Sequence, residues 1–179
     1  MAVVTGLFRD RESAERAYQV VVERGYDTAD INLLMSDETR NRYFGGRAST
    51  ASTALGNKGA EGVEKKAATK LGGPLGGTLG TIGTALAALG TVFVPLGLGF
   101  VIAGPLAAAL AAAGSVALVG GLIGALTHWG IPKERLEHYE SGIRGGGILI
   151  GVMPHSDEDA VYFEQQWTAS GGEQVHSKA

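Results

Sequence analysis

The chain has 179 residues, 15 basic and 18 acidic side chains and a net charge of −3, the size of one ordinary domain with no global field for nucleic acid. It contains no cysteine, which excludes disulfides, thiolate metal sites and cysteine nucleophiles. From Leu71 through Pro132 there is no Asp, Glu, Lys or Arg, an uncharged run of 62 residues that disfavours an ordinary water-soluble enzyme, whose helices need solvated faces.

Residues 2–8 (AVVTGLF) read as a first strand that ends at Arg9-Asp10. The opening residues hold neither a basic n-region nor an apolar h-region, so a cytoplasmic start without a secretory signal is expected. Asp10 offers an N-cap carboxylate, and Ala14, Ala17, Tyr18 and Val21 recur on one helical face that Gly25 closes. Ile31 to Met35 is a second strand. Residues 1–37 are therefore expected to be the first half of a small α/β sandwich.

Residues 38–70 form a polar segment with seven basic residues (Arg40, Arg42, Arg47, Lys58, Lys65, Lys66, Lys70) against Glu38, Glu61 and Glu64. The uncharged block follows at 71–130, divided by Pro74, Pro95 and Pro105. Its natural helices run from about Leu75 to Val94 and from Pro105 to Trp129, with residues 95–104 as the bend. Each is long enough to match a bilayer core. Small residues recur every fourth position: Gly73, Gly77, Thr81 and Ala85; Gly76, Gly80, Thr84 and Ala88; then Ala113, Ala117, Gly121 and Ala125 beside Gly120 and Gly124. Such rows let two helix backbones approach closely. Two readings stay open, a membrane hairpin and a helical hairpin buried at the centre of a soluble oligomer. A flexible linker fits less well, because Leu, Ile and Val punctuate the small residues.

Residues 131–179 supply the second half. Pro132 opens a helix with Leu136, Tyr139 and Ile143 on one face, and Gly145-Gly146-Gly147 breaks it after Arg144. Ile148 to Met153 is a strand. Ser156 with Asp159 three residues on is a capping-box-like start, and Ala160, Phe163 and Trp167 make the buried face of the helix that follows. Gly171-Gly172 stops it, and a short strand runs from Glu173 to His176. The expected fold is α+β: a split ferredoxin-like sandwich interrupted by a long glycine-zipper helical hairpin. Each half is expected to cover the sheet without help from the insert.

The run Trp129-Gly130-Ile131-Pro132, with Tyr139-Glu140-Ser141-Gly142-Ile143-Arg144-Gly145-Gly146-Gly147-Ile148-Leu149-Ile150, resembles the C-terminal signature of small bacterial general-stress proteins related to the heat-induced stress protein family. The opening Gly6-Leu7-Phe8 strand, the helix with Ala14 and Ala17 and the turn at Gly25-Tyr26 share the resemblance. It implies a stress-associated, non-enzymatic protein with a membrane link. The motifs that carry it are strand edges, caps and turns, and they specify no chemistry.

No catalytic, cofactor-binding or metal constellation emerges from the spacing. His128, His138, His155 and His176 lack metal-ligand spacing, and His138 reads as a solvated helix residue. Asp157, Glu158 and Asp159 read as first-turn helix charges rather than an acid/base dyad. Gly72 to Gly77 follows no strand and precedes no Lys-Ser/Thr, so it is not a phosphate loop. The residues singled out are instead helix-packing positions (Gly73, Gly76, Gly77, Gly80, Ala113, Ala117, Gly120, Gly121 and Gly124) and Trp129 as an interface anchor. The expected function is self-assembly with membrane association, its partners a second copy and lipid, with both termini on the cytoplasmic side. The alternative is a soluble homo-oligomer that buries the hairpins in a shared core.

Overall fold

The computed structural model describes residues 3–44, 82–89, 91–94, 99–107, 126–127 and 131–178. In chain order these hold β1 (Val3–Phe8), α1 (Arg11–Glu23), a 3-10 turn (Thr28–Asp30), β2 (Ile31–Ser36), α2 (Asp37–Phe44), α3 (Ile82–Leu89), β3 (Thr91–Val94) and β4 (Phe100–Ala103). After them come α4 (Lys133–Arg144), β5 (Ile148–Val152), α5 (Asp157–Ala169) and β6 (Glu173–Lys178). One six-stranded sheet runs in the order β3-β4-β2-β5-β1-β6, with every neighbouring pair antiparallel. The fold is α+β.

The terminal helices and strands form where the sequence places them. Asp10 caps α1 by accepting the Ser13 N–H at 2.8 Å, and Ser156 caps α5 by accepting the Asp159 N–H at 3.1 Å. Ala14, Ala17, Tyr18 and Val21 of α1 are fully buried, as are Phe163 and Trp167 of α5. Both helices cover one face of the sheet, over Val4, Phe8, Ile31, Leu33, Ile148 and Ile150. Helix α4 covers the other face, where Leu136, Tyr139 and Ile143 meet Leu7, Leu34 and Leu149. Because both faces are covered, the central strands are mostly apolar on both faces rather than alternating, with Thr5 and Asn32 as buried polar residues. Each fully buried aliphatic side chain contributes about 1.5–3 kcal/mol by leaving water.

The middle of the chain departs from the expected hairpin. Within the helix expected over 75–94, Ile82–Leu89 form α3 and Thr91–Val94 form strand β3; the expected bend contains β4. Strand β4 pairs with β2 from Leu33↔Ala103 to Ser36↔Phe100, so the insert extends the sheet. Its described residues also reach both faces of the sheet. Ile82, Ala85 and Leu86 of α3 pack in the first core, while Leu106, Ala107 and Leu126 pack in the second. The other positions of the expected hairpin lie outside the described residues. Among the described residues no helix is long and apolar enough to cross a membrane. The insert also supplies part of the packing, because β4 contributes to both cores and α3 to the first.

Polar contacts root the insert. The Glu15 carboxylate accepts the Ile82 N–H at 2.9 Å, capping α3 from the flank of α1. On the other face, the buried Asn32 side chain accepts the Leu106 N–H at 2.8 Å. Gly104, at φ +104°, lets the chain pass directly over β2: a Cβ there would collide with the Ile31 carbonyl oxygen.

Tyr18 Oη, like Glu15 Oε1 and Arg40 Nε, is a buried polar atom without a hydrogen-bond partner among the described residues. The Tyr18 side chain is fully buried in the first core. Burial, aided by the nearby Glu15 charge, pushes the phenol up to about 12. Removing an orphaned hydroxyl removes its desolvation cost. Tyr18→Phe is therefore expected to leave stability unchanged or raise it by up to about 1 kcal/mol, read in a denaturant melt. A loss above that would show that the hydroxyl has a stabilising partner.

Candidate functional site

The residues that sequence reading singled out for helix packing (Gly73, Gly76, Gly77, Gly80, Ala113, Ala117, Gly120, Gly121 and Gly124) lie outside the described residues, as do Trp129 and His128. So do Gly72 to Gly77 and the basic residues from Arg47 to Lys70; Arg40 and Arg42 fall on α2. His138 is exposed on α4 and His176 is half-buried on β6. Gly145 to Gly147 form the turn between α4 and β5, with the Gly147 N–H donating to the Gly142 carbonyl at 2.9 Å.

A polar cluster joins residues from both ends of the chain at one end of the sheet. Its parts come from the turn after α1 (Arg24, Tyr26), the 3-10 turn before β2 (Asp30), and the loop and first turn that follow β5 (His155, Glu158, Asp159). The Tyr26 hydroxyl donates to Asp159 Oδ2 at 2.7 Å and accepts the His155 backbone N–H at 2.7 Å. Arg24 Nε donates to Asp159 Oδ1 at 2.7 Å, while its guanidinium lies 4.7 Å from the Tyr162 ring centroid. The His155 imidazole stacks on Tyr26 at 4.2 Å and 16°, with Nε2 3.8 Å from Asp30 Oδ2. Beneath them Phe163 meets the Tyr26 ring edge-on at 5.1 Å, so the cluster sits on the first core.

Its electrostatics oppose proton transfer. The Tyr26 hydroxyl bond, then that from Arg24, holds the Asp159 carboxyl below its usual range. Burial pushes the Tyr26 phenol above its ordinary value. An acid held ionised and a phenol held protonated are each moved away from the neutral range where general acid/base groups work. The arrangement serves as a clasp between the halves. Asp159 is thus more than the helix-dipole charge its position suggests, whereas Asp157 and Glu158 are exposed in the first turn.

Comparison with protein-family models, curated proteins and solved structures returns no match to this chain. The site therefore stands on its geometry. A second polar node lies on the opposite face. The buried Tyr139 hydroxyl donates to the Gln174 carbonyl at 2.7 Å and lies 3.0 Å from Thr5 Oγ1. Gln174, at φ +51°, is the one non-glycine residue with positive φ among the described residues, and its carbonyl also accepts from Arg135 at 3.4 Å. This ties α4 to β1 and β6. Among the described residues there is no group of His, Asp and Glu that could hold a metal ion.

The clasp makes a pH prediction with a definite sign. Unfolding returns Asp159 to a carboxylate value near 4, above its folded value. Its contribution is therefore fully present above about pH 4 and is lost as pH falls through the folded value. Wild type should lose stability more steeply with acid than Asp159→Asn, in denaturant melts taken from pH 7 down to pH 2. Parallel pH profiles for the two proteins would show that Asp159 is not the responsible group.

Proposed function

We propose that this chain is a non-enzymatic, stress-associated protein that self-assembles and holds to a membrane surface. Its scaffold is a ferredoxin-like split sandwich in which β1-α1-β2 and β5-α5-β6 are the two halves and the β3-β4 hairpin is an added edge. The stress association follows the sequence resemblance. One observation carries the membrane part: residues 108–125 are uncharged, and they leave from Leu106 and Ala107 and return to Leu126 in the same core. As a helix that length reaches about 27 Å, and a single crossing of a bilayer core of about 30 Å would leave its ends on opposite sides. A helical crossing and return needs roughly twice as many residues. The membrane contact is therefore proposed as attachment without a crossing, with both termini on one side.

Flotation of the full chain with lipid vesicles tests this. It should rise with the vesicles, and protease added outside should leave no bilayer-protected fragment. A protected fragment of helical length would overturn the surface mode. A protein that stays at the bottom of the gradient as one monodisperse oligomer, without detergent, would establish the soluble homo-oligomer instead. That second reading is supported by β4, Leu106 and Leu126, since the sandwich takes these uncharged residues into its own cores without lipid.

A further inference from the structure

The two edges of the sheet are built differently. Edge strand β6 carries charge in Glu173, which pairs with Arg9 at 2.7 Å, and Lys178 ends it. Its pairing with β1 shifts register between Thr5 and Leu7, and Gln174 interrupts it with a positive φ. Charges and bulges of this kind keep an edge from recruiting another strand. Edge strand β3 has none of them. Its sequence, Thr91-Val92-Phe93-Val94, is uncharged, free of proline and glycine, and made of β-branched and aromatic residues. It pairs with β4 in unbroken register from Thr91↔Ala103 to Val94↔Phe100, and among the described residues no strand lies on its other side.

That edge is also held firmly. Strand β4 is fixed to β2 by four paired positions, by the Asp37 N–H donating to the Gly99 carbonyl at 2.7 Å, and by the passage of Gly104 over Ile31. A rigid strand whose outer N–H and C=O groups pair with no strand among the described residues binds another strand at little ordering cost.

We infer that β3 is a homotypic docking edge, at which the β3 strands of two copies pair antiparallel about a two-fold axis and continue the sheet from one protomer to the next. A second copy is the occupant because an antiparallel strand pair is self-complementary under a two-fold. The partner's β3 is, in addition, as uncharged and β-prone as the one it meets. The inference rests on the self-assembly half of the proposed function and is independent of lipid.

The absence of cysteine allows a direct test. Single variants Thr91→Cys, Val92→Cys, Phe93→Cys and Val94→Cys are oxidised in the full chain, with Ser177→Cys on β6 as the control edge. Directly opposed residues in an antiparallel pair lie within disulfide reach, so covalent dimer should peak at one or two adjacent β3 positions and be absent at Ser177→Cys. Proline at the same four positions in turn gives a second arm. Alternate N–H groups point to opposite sides of a strand, so two of the four variants keep the β4 pairing and lose only the outward donor. Those two should retain the wild-type melt and vesicle flotation while dimerisation weakens at least tenfold in sedimentation. If wild type self-associates but the β3 variants neither crosslink nor weaken it, the edge is not the interface and the self-assembly reading stands. A monomeric wild type that still floats would overturn both the edge and self-assembly, leaving lipid association intact.

Discussion

Trp167→Ala is expected to be the most damaging single truncation in the molecule. The indole is fully buried, meets Phe8 edge-on at 5.9 Å and Phe163 at 6.2 Å, and donates from Nε1 to the Ala17 carbonyl at 3.0 Å. It thus binds α5 to α1 and β1 together. Removing it costs about 3–5 kcal/mol for the cavity, and the lost hydrogen bond to the Ala17 carbonyl, which keeps its helical partner, adds roughly 0.5–1.5 kcal/mol. Trp167→Phe should recover much of the packing but not the hydrogen bond. Thermal melts of the three proteins separate the two contributions. Equal melting temperatures for wild type and Trp167→Ala would mean that this core does not hold the two halves.

Gly104→Ala ranks next, for a different reason. A left-handed φ costs an alanine about 1–2 kcal/mol, and the new methyl would press on backbone that cannot rotate away, the Ile31 carbonyl. The total should reach about 3 kcal/mol or more, a fall of roughly 6–12 °C for a chain of this size. The damage should concentrate on β4 and β3, seen as faster amide exchange there than in β1 and β5. Uniform exchange throughout would show that the insert strands unfold only with the whole sheet.

The elements that the sequence makes legible are those with local punctuation. Asp10 and Ser156 cap α1 and α5, Gly25 and the Gly145–Gly147 turn end helices, and the polar faces of α1 and α4 leave a clear helical period. Strands β3 and β4 carry no such mark. Thr91–Val94 and Phe100–Ala103 are four-residue apolar runs in an Ala/Gly/Leu background, and burial of β4 on both sides removes the alternation that would betray a strand. That burial also explains part of the charge gap, which therefore does not require lipid for residues such as Val101 and Ile102. Helix α2 was hidden in a polar stretch, although Ser36 accepting the Thr39 N–H at 3.1 Å is a capping signal visible three residues apart. The clasp was beyond local reading altogether. Tyr26 and Asp159 are 133 positions apart, and no spacing rule joins them.

Strand β1 has only two partners, β5 and β6, and both lie at the far end of the chain. During synthesis at about 5–20 residues per second, β1 therefore waits roughly 7–28 s between leaving the ribosome and meeting Ile148. Through that interval β2, β3 and β4 can already pair, since all three precede residue 104. The nascent chain thus carries a three-stranded sheet with the β2 edge open until β5 slots between β2 and β1. Closure belongs to the last thirty or so residues, and a chain stopped short of Ile148 leaves both edges of β1 and one edge of β2 open at once.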